Sequence, residues 1–271
     1  EEDDDRENRK VKTVNKVDKV FKGAIVDMTA TQADELKKNK RVLYIEKDGI
    51  VTASAITPQS PATWGLDRID QKTLPLNNIY NYEPTGQGVT AYVVDTGILS
   101  THVEFGIRVK TGFTAITTGG TTDCNGHGTH VAGTIGGSTY GVAKSVNLVP
   151  VRVLDCSGSG TNSGVISGIN WAVNQYLANP TPSVMNLSLG GGASAALDTA
   201  ITSAVNAGIT VVVAAGNSNA NACNYSPARA PAAITVGATD NNDALANFSN
   251  TGSCVDISAP GVNITSAWIG T

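Results

Sequence analysis

Short apolar runs that alternate with helical patterns constrain the fold of residues 56–271 more than any other feature of the sequence. Six such runs occur, over residues 88–95, 146–155, 183–189, 209–217, 233–238 and 255–258. Continuous apolar runs are typical of parallel strands that helices cover on both faces. Helical patterns lie between them over residues 161–177 and 193–207. This order predicts an α/β fold, with a doubly wound, mostly parallel sheet and helices on both faces.

The charge distribution divides the chain near Ala55. Residues 1–55 hold 12 of the 23 acidic and 12 of the 19 basic side chains, whereas residues 56–271 are weakly charged and contain all four cysteines. We therefore predict three segments. Residues 1–10 are mostly charged and are expected to be disordered, residues 11–55 form a small α+β module, and residues 56–271 form the larger domain.

Local patterns predict the elements of the α+β module. Apolar residues recur at helical spacing at Val11, Val14, Val17 and Phe21, and residues 23–26 are typical of a short strand. Thr31 and Asp34 have the spacing of a capping box, which predicts a helix from Thr31 to about Lys40. Residues 41–46 are predicted to form a second strand.

No pattern in the sequence is typical of a nucleic-acid-binding or membrane protein. The net charge is −4, no dense basic patch occurs, and no apolar run approaches the roughly 20 residues that span a bilayer. The first ten residues also lack the apolar stretch of a signal peptide. We expect a monomer without nucleic-acid or membrane partners.

The four cysteines form two sequential pairs, Cys124 with Cys156 and Cys223 with Cys254. Four cysteines allow three pairings, but each sequential pair would close a loop of about 30 residues, and the CxxC spacing of a zinc site does not occur. Two disulfide bonds and an oxidising compartment are the favoured interpretation. Four buried free thiols in a cytosolic protein are the alternative.

Three segments carry residues suited to catalysis. Asp95 ends an apolar run, where a buried carboxylate would orient an imidazole, although aspartates that end strands more often form turns. His127 lies among small residues at a predicted helix start, and a metal site with His130 is disfavoured because no further ligands are nearby. Asn217 ends another apolar run, where its amide would stabilise an oxyanion or simply form a turn.

In this order and spacing the three segments resemble the Asp, His and oxyanion-Asn blocks of the subtilisin-like serine proteases, or subtilases. The resemblance extends from about Thr57 to the end of the chain and is closest to the proteinase K subfamily, within it to the aqualysin-type branch. The motifs that carry it are Trp64 to Asp70, Asp123 to His127, Asn186 to Gly191 and Asn221 to Pro227. The disulfide pattern of that branch fits both sequential cysteine pairs.

The resemblance implies a secreted serine endopeptidase and a role for each matching residue. Asp95 would orient His127, His127 would act as general base and then acid, and Asn217 would donate to the oxyanion. His130 would be structural. An extended peptide substrate would add between two segments that resemble strands of the family, Ser188–Gly190 on one side and Ser157–Gly160 on the other. Those segments and the neighbouring pocket comprise Ser157, Gly158, Ser159, Gly160, Ser188, Leu189, Gly190, Ala214, Ala215 and Gly216.

Structural Ca²⁺ is a further implication of the resemblance. Asp256 with the carbonyls of Pro231 and Ala233 matches one calcium site of the family. A second site, found in the aqualysin-type branch, matches Asp67, Asp70 and Gln71. Oxygen ligands of this kind suit Ca²⁺, but carboxylates at such positions also cap turns.

The family nucleophile lies in a Gly-Thr-Ser-Met-Ala type motif, and no such motif occurs in residues 1–271. Residues 262–269 match the family strand that precedes the motif. We therefore expect this chain to lack the catalytic serine and to be inactive. Residues 11–55 resemble part of the inhibitory propeptide of the family, which occupies the substrate cleft until it is cleaved.

Two other functions are compatible with parts of the sequence. The first is a non-catalytic, protease-like protein that binds or inhibits a partner through the propeptide-like segment and the cleft. The second is a nucleotide-binding domain, suggested by Gly-rich turns. The latter is disfavoured because the sequence contains neither GxGxxG nor GK[ST].

Overall fold

A computed structural model describes residues 11–49 and 56–270. The chain divides into two compact units between Ala53 and Ser54, and each unit is described by itself. The disorder predicted for residues 1–10 concerns residues outside the described ranges. In the described part of the chain, no helix is long and apolar enough to cross a bilayer.

The N-terminal unit begins with a hairpin where the sequence predicts a helix. Strand β1 (Lys12–Val17) pairs antiparallel with β2 (Gly23–Asp27). The helix predicted from the spacing of Val11, Val14, Val17 and Phe21 is therefore wrong. The pairing shifts register between Thr13 and Asn15, and a bulge of this kind breaks the period of two that identifies a strand. β-branched Thr and Val also favour a strand.

The helix of this unit, α1 (Ala30–Lys37), starts one residue earlier than the sequence predicts. Its capping box joins Thr29 and Gln32: the Thr29 hydroxyl accepts from Gln32 N at 3.3 Å, and Gln32 Oε1 accepts from Thr29 N at 2.8 Å. Asp34 instead pairs with Lys37 at 3.1 Å. The capping box predicted at Thr31 and Asp34 is wrong because both lie inside the helix.

The strand predicted over residues 41–46 is also wrong. Residues 42–49 have no regular structure, and Leu43 is 93% exposed. A strand requires an adjacent backbone to bond with, and in the described part of this unit β1 and β2 pair with each other. The apolar pattern of residues 41–46 therefore belongs to a mostly exposed segment without regular structure.

The second unit is built on a seven-stranded sheet in which every pairing is parallel. Its strands are β5 (Thr90–Asp95), β6 (Phe113–Thr114), β7 (Asn147–Arg152), β8 (Ser183–Leu187), β10 (Thr210–Ala214), β12 (Ile234–Thr239) and β13 (Ile257–Pro260), in the order β13-β12-β10-β8-β5-β7-β6. The α/β class predicted from the apolar runs is confirmed. The runs do not identify the two-residue strand β6.

Short elements flank this sheet. Strand β3 (Thr57–Gln59) pairs antiparallel with β4 (Tyr80–Tyr82), and β9 (Gly191–Gly192) with β11 (Tyr225–Ser226). The helices are α2 (Trp64–Ile69), α3 (His127–Gly136), α4 (Asn162–Ala178) and α5 (Ala195–Ala207), with a 3-10 helix at Ala222–Asn224. Disulfide bonds join Cys124 to Cys156 and Cys223 to Cys254, as predicted.

Helices cover both faces of the sheet, which explains why its strands are continuously apolar. Along β5, Tyr92 and Val94 pack into a core with α4 and α5, whereas Ala91 and Val93 pack into a second core with α3. The chain leaves β5 and β8 in opposite directions. Such a switch point leaves a crevice at the carboxyl ends of the strands.

Residues 264–268 do not form the strand that the resemblance predicts. Their polar contacts run to helix α3: His130 Nε2 lies 3.0 Å from the Ile264 carbonyl, and the Ser266 hydroxyl donates to the His130 carbonyl at 2.8 Å. Ala267 is buried in the core beside α3. The segment is therefore fixed by helix contacts in place of a strand ladder.

Leu187→Ala is expected to destabilise the second unit strongly. Leu187 is fully buried in the core beneath α4 and α5, so the substitution leaves a cavity that costs about 2–5 kcal/mol. Urea unfolding followed by tryptophan fluorescence measures the loss. Leu177→Ala is the matched control, because Leu177 is 58% exposed. Equal losses in the two variants would contradict this packing.

Candidate active site

Asp95 and His127 meet where strand β5 ends and helix α3 begins. Asp95 is the last residue of β5 and is fully buried, and His127 is the first residue of α3. His127 Nδ1 lies 2.7 Å from Asp95 Oδ1, which also accepts from Thr96 N at 2.7 Å. The His127 side chain is 47% exposed. Because Asp95 engages Nδ1, Nε2 remains for contact with a substrate.

The start of α3 requires a glycine at position 126. Gly126 caps the helix with φ of 106°, a left-handed conformation that favours glycine. A Cβ at this position would come within 2.5 Å of the Trp268 ring. The close approach of Trp268 and the turn into the helix therefore both depend on Gly126, which directly precedes His127.

The environment of His127 favours its protonated form. The hydrogen bond to Asp95 raises the pKa of His127 above its ordinary value of 6.5, burial opposes this, and the negative charges of Asp95 and Asp123 raise the pKa further. An imidazole held in one orientation, with a raised pKa and one open nitrogen, is suited to take a proton and then return it.

A groove of about 560 Å³ lies beside His127. It contains seven of the ten predicted substrate-binding residues, Ser157, Gly158, Ser159, Gly160, Ser188, Leu189 and Gly190. The other three, Ala214, Ala215 and Gly216, are not among its lining residues, and neither is Asn217. Sequence reasoning missed Leu154, Val165 and Leu197, which add apolar surface to the groove. No Asp, Glu, Lys or Arg belongs to the lining.

The wall formed by Ser157–Gly160 is a turn and not the strand that the resemblance suggests. Asp155 Oδ1 accepts from Ser157 N at 2.8 Å, from the Ser157 hydroxyl at 2.6 Å and from Ser159 N at 3.0 Å. These bonds hold the turn without help from a neighbouring strand. The wall can therefore present its backbone to an extended peptide.

Asn250, which sequence reasoning missed, organises the turn that carries Asn217. Its buried side chain accepts from Ser218 N and Ala220 N, both at 3.0 Å, and donates to the Ala215 carbonyl at 2.9 Å. Gly216 has φ of 103°, and a Cβ there would meet Asn250 Nδ2 at 2.4 Å. The conformation of the turn after β10 thus depends on Asn250. In the sequence, Asn250 is only one of several polar residues between the apolar runs 233–238 and 255–258, and nothing there indicates its role.

The predicted cation ligands Asp67, Asp70 and Gln71 lie together around α2. Asp70 Oδ2 accepts from Asn81 N and Nδ2 at 2.5 and 2.9 Å, whereas Asp70 Oδ1 is buried without a hydrogen-bond partner. Gln71 Nε2 donates to two carbonyls, of Thr73 and Pro75, at 2.8 Å each. A buried carboxylate oxygen without a hydrogen-bond donor fits a hard cation.

The second predicted set has a weaker structural basis. Asp256 Oδ2 accepts from Thr235 N at 2.8 Å, which places the carboxylate beside the segment that carries the Pro231 and Ala233 carbonyls. In residues 11–49 and 56–270, no group of three or more His, Cys, Asp or Glu side chains is placed to hold a metal. Either candidate site would therefore depend on backbone and amide oxygens.

Comparison with known proteins identifies two families in the chain. Residues 86–271 match the subtilase family, and residues 1–54 match peptidase inhibitor I9. An extracellular serine proteinase of Thermus sp. (strain Rt41A) is 60% identical over 93% of this chain, and alkaline serine exoprotease A of Vibrio alginolyticus is 55% identical over 93%. The chain spans 62% and 47% of the lengths of these relatives.

A solved structure supports the same relationship. The crystal structure of a cold adapted subtilisin-like serine proteinase matches with a TM-score of 0.74 and 59% identity, covering 77% of this chain and 76% of that chain. The family match covers more than half of the chain and lies within the unit that holds Asp95 and His127. The chain belongs to the subtilase family.

Proposed function

We propose that the protein is a secreted serine endopeptidase, which cleaves peptide bonds by acyl transfer from a substrate to a serine. The observation that carries this proposal is the buried Asp95 carboxylate at 2.7 Å from the His127 imidazole, at the rim of an uncharged groove. Two disulfide bonds and the extracellular relative from Thermus support secretion.

In the proposed reaction His127 Nε2 removes the proton of the serine hydroxyl as that oxygen attacks the scissile carbonyl. The same nitrogen then protonates the leaving amine. Asp95 keeps Nδ1 protonated and stabilises the imidazolium. Asn217 donates to the oxyanion that forms on the carbonyl oxygen.

We also propose that the nucleophilic serine is not among residues 1–271. The Gly-Thr-Ser type motif of the family does not occur in them. In the described ranges, no serine hydroxyl is hydrogen-bonded to the His127 ring. The ring is hydrogen-bonded to Asp95. The segment that supplies the nucleophile is proposed to lie outside residues 1–271.

An extended peptide is the proposed substrate, bound between the walls Ser157–Gly160 and Ser188–Gly190. Backbone hydrogen bonds would give affinity, and the apolar side chains of the groove would favour uncharged substrate residues. Residues 11–55 are the proposed inhibitory propeptide, since their segment matches peptidase inhibitor I9. We propose a monomer without nucleic-acid or membrane partners.

The proposal is tested by extending the gene's reading frame past Thr271. The extended protein is expected to hydrolyse an internally quenched peptide, whereas residues 1–271 alone are expected to be inactive. In the extended protein, Asp95→Asn and His127→Ala should each lower kcat about 10⁴-fold or more, because a base in the correct tautomer is lost. His102→Ala is the matched control.

The outcome separates enzyme from binding protein. Retained activity in His127→Ala would contradict the proposed chemistry, and release of terminal residues only would show an exopeptidase. A reading frame that stops without a nucleophile, together with tight peptide binding by residues 1–271, would establish the non-catalytic alternative.

The pH dependence of activity should report the Asp95–His127 pair. General-base catalysis requires neutral imidazole, so kcat/KM of the extended protein should rise as the pH passes upward through the pKa of His127. Because Asp95 raises this pKa, the midpoint is expected above 6.5. Asp95→Asn should move the midpoint to lower pH. A midpoint that does not move would contradict the coupling.

We also propose that Ca²⁺ binds at Asp67, Asp70 and Gln71, and at Asp256 with the carbonyls of Pro231 and Ala233. The buried, unpartnered Oδ1 of Asp70 is the stronger support. Bound Ca²⁺ would supply charge compensation for these carboxylates and would fix the loop that follows α2.

Asp70→Asn is expected to reduce the stabilisation that Ca²⁺ gives. At a free concentration 100 times Kd, binding adds about 2.7 kcal/mol to the free energy of unfolding, so Ca²⁺ should raise Tm relative to EDTA. Tb³⁺ emission excited through Trp64 of α2 reports the first site, and Asp256→Asn isolates the second. Asp240→Asn is the control. An unchanged Tb³⁺ signal in Asp70→Asn would contradict the first site.

A further inference from the structure

Asp123 is a buried carboxylate that catalysis as described above does not use. It is 5% exposed and accepts five hydrogen bonds. Oδ1 accepts from the Thr96 hydroxyl, Asn125 N and Gly126 N, all at 2.9 Å. Oδ2 accepts from Thr129 N at 2.9 Å and from the Thr129 hydroxyl at 2.7 Å. In the described part of the chain no ion pair involves Asp123.

The five bonds reach both halves of the Asp95–His127 pair. Thr96 follows Asp95 directly, and its backbone N–H donates to Asp95 Oδ1 at 2.7 Å. On the other side, Gly126 and Thr129 lie at the start and in the first turn of α3, on either side of His127. Gly128 N closes the connection by donating to the Thr96 hydroxyl at 2.9 Å.

A single carboxylate thus joins the end of β5 to the first turn of α3. Either segment could move only by leaving a buried donor or an oxygen of Asp123 without a partner, which is costly because Asp123, Thr96 and Thr129 are buried. The N-terminus of α3 also stabilises the negative charge that lies beside it.

We propose that Asp123 is a positioning residue, which holds the Asp95 carboxylate and the His127 imidazole at hydrogen-bonding distance through Thr96 and the first turn of α3. This inference rests on the proposed function only for its effect on catalysis. The effect on the His127 ring follows from the contacts themselves.

Electrostatics agree with this role. Burial raises the pKa of Asp123, but the hydrogen bonds from Gly126, Thr129 and Asn125 together outweigh burial and lower the pKa below its ordinary value. Asp123 therefore remains charged through the neutral range. Its charge adds to that of Asp95, and both raise the pKa of His127.

The test is an NMR titration of the histidine ring protons in the 271-residue chain, with and without Asp123→Asn. The amide keeps the shape of the carboxylate and removes its charge. It also replaces one acceptor oxygen with an NH₂ group, which then faces N–H and O–H donors. We expect the pKa of His127 to fall in the variant. Asp240→Asn is the matched control, because Asp240 accepts from Asn242 N and Ala244 N in a distant turn.

Thr96→Val is the second variant, needed if Asp123→Asn does not fold. It removes the hydroxyl that joins Asp123 to the Asp95 segment and keeps both charges. The pKa of His127 should fall less than in Asp123→Asn. If either folded variant loses stability but keeps the wild-type pKa of His127, Asp123 is a structural residue only and the proposal is wrong.

A kinetic measurement on the extended protein separates this inference from the proposed function. Asp123→Asn should lower kcat about 10- to 100-fold, as expected for a displaced catalytic group, with KM nearly unchanged. A rise in KM at constant kcat would overturn the positioning role. If the wild-type extended protein hydrolyses no peptide, the proposed function fails, and the NMR titration still decides the role of Asp123.

Discussion

The hydrogen bond between Asp95 and His127 places opposite demands on one small region, because the carboxylate is fully buried while the imidazole must stay open to a substrate. Parallel strands meet the first demand: β5 lies in the middle of the sheet, with cores on both faces. The switch of chain direction between β5 and β8 meets the second demand, since it leaves the crevice at which α3 begins.

The fold of the second unit was predictable because its signal is local and repeated. Each of the six apolar runs contains or overlaps a strand of the sheet, and both helical patterns correspond to α4 and α5. Strand β6 was not predictable, since two residues form no pattern. In the N-terminal unit the same reasoning identified β2 and α1 but failed for residues 11–21 and 41–46. The bulge at Val14 imitates helical spacing, and in the described part of the unit the apolar pattern of residues 41–46 has no adjacent strand to pair with.

In the candidate site, too, the sequence identifies residues that lie in local motifs and does not identify residues that come together only through packing. Asp95 and His127 end or begin an element and lie in recognisable motifs, so the sequence identifies them. Asn250 and the apolar groove residues Leu154, Val165 and Leu197 come from separate elements. The positions of the three groove residues depend on how β7, α4 and α5 pack, and Asn250 lies between β12 and β13 against the turn after β10. No spacing along the chain expresses these contacts. For the same reason Asp123 is visible as part of a motif, whereas the five bonds that it accepts are not.

The start of α3 is connected to the groove wall as well as to Asp95. Cys124, three residues before His127, is bonded to Cys156, which directly precedes the turn Ser157–Gly160. Asn125 Nδ2 donates to the Cys156 carbonyl at 3.0 Å. The buried Arg152 side chain donates to Cys124 Sγ at 3.1 Å. A displacement of the groove wall would therefore reach the first turn of α3 through one covalent and one polar connection. The residue that performs the proposed proton transfer and the wall that binds the proposed substrate are in this way parts of one connected region.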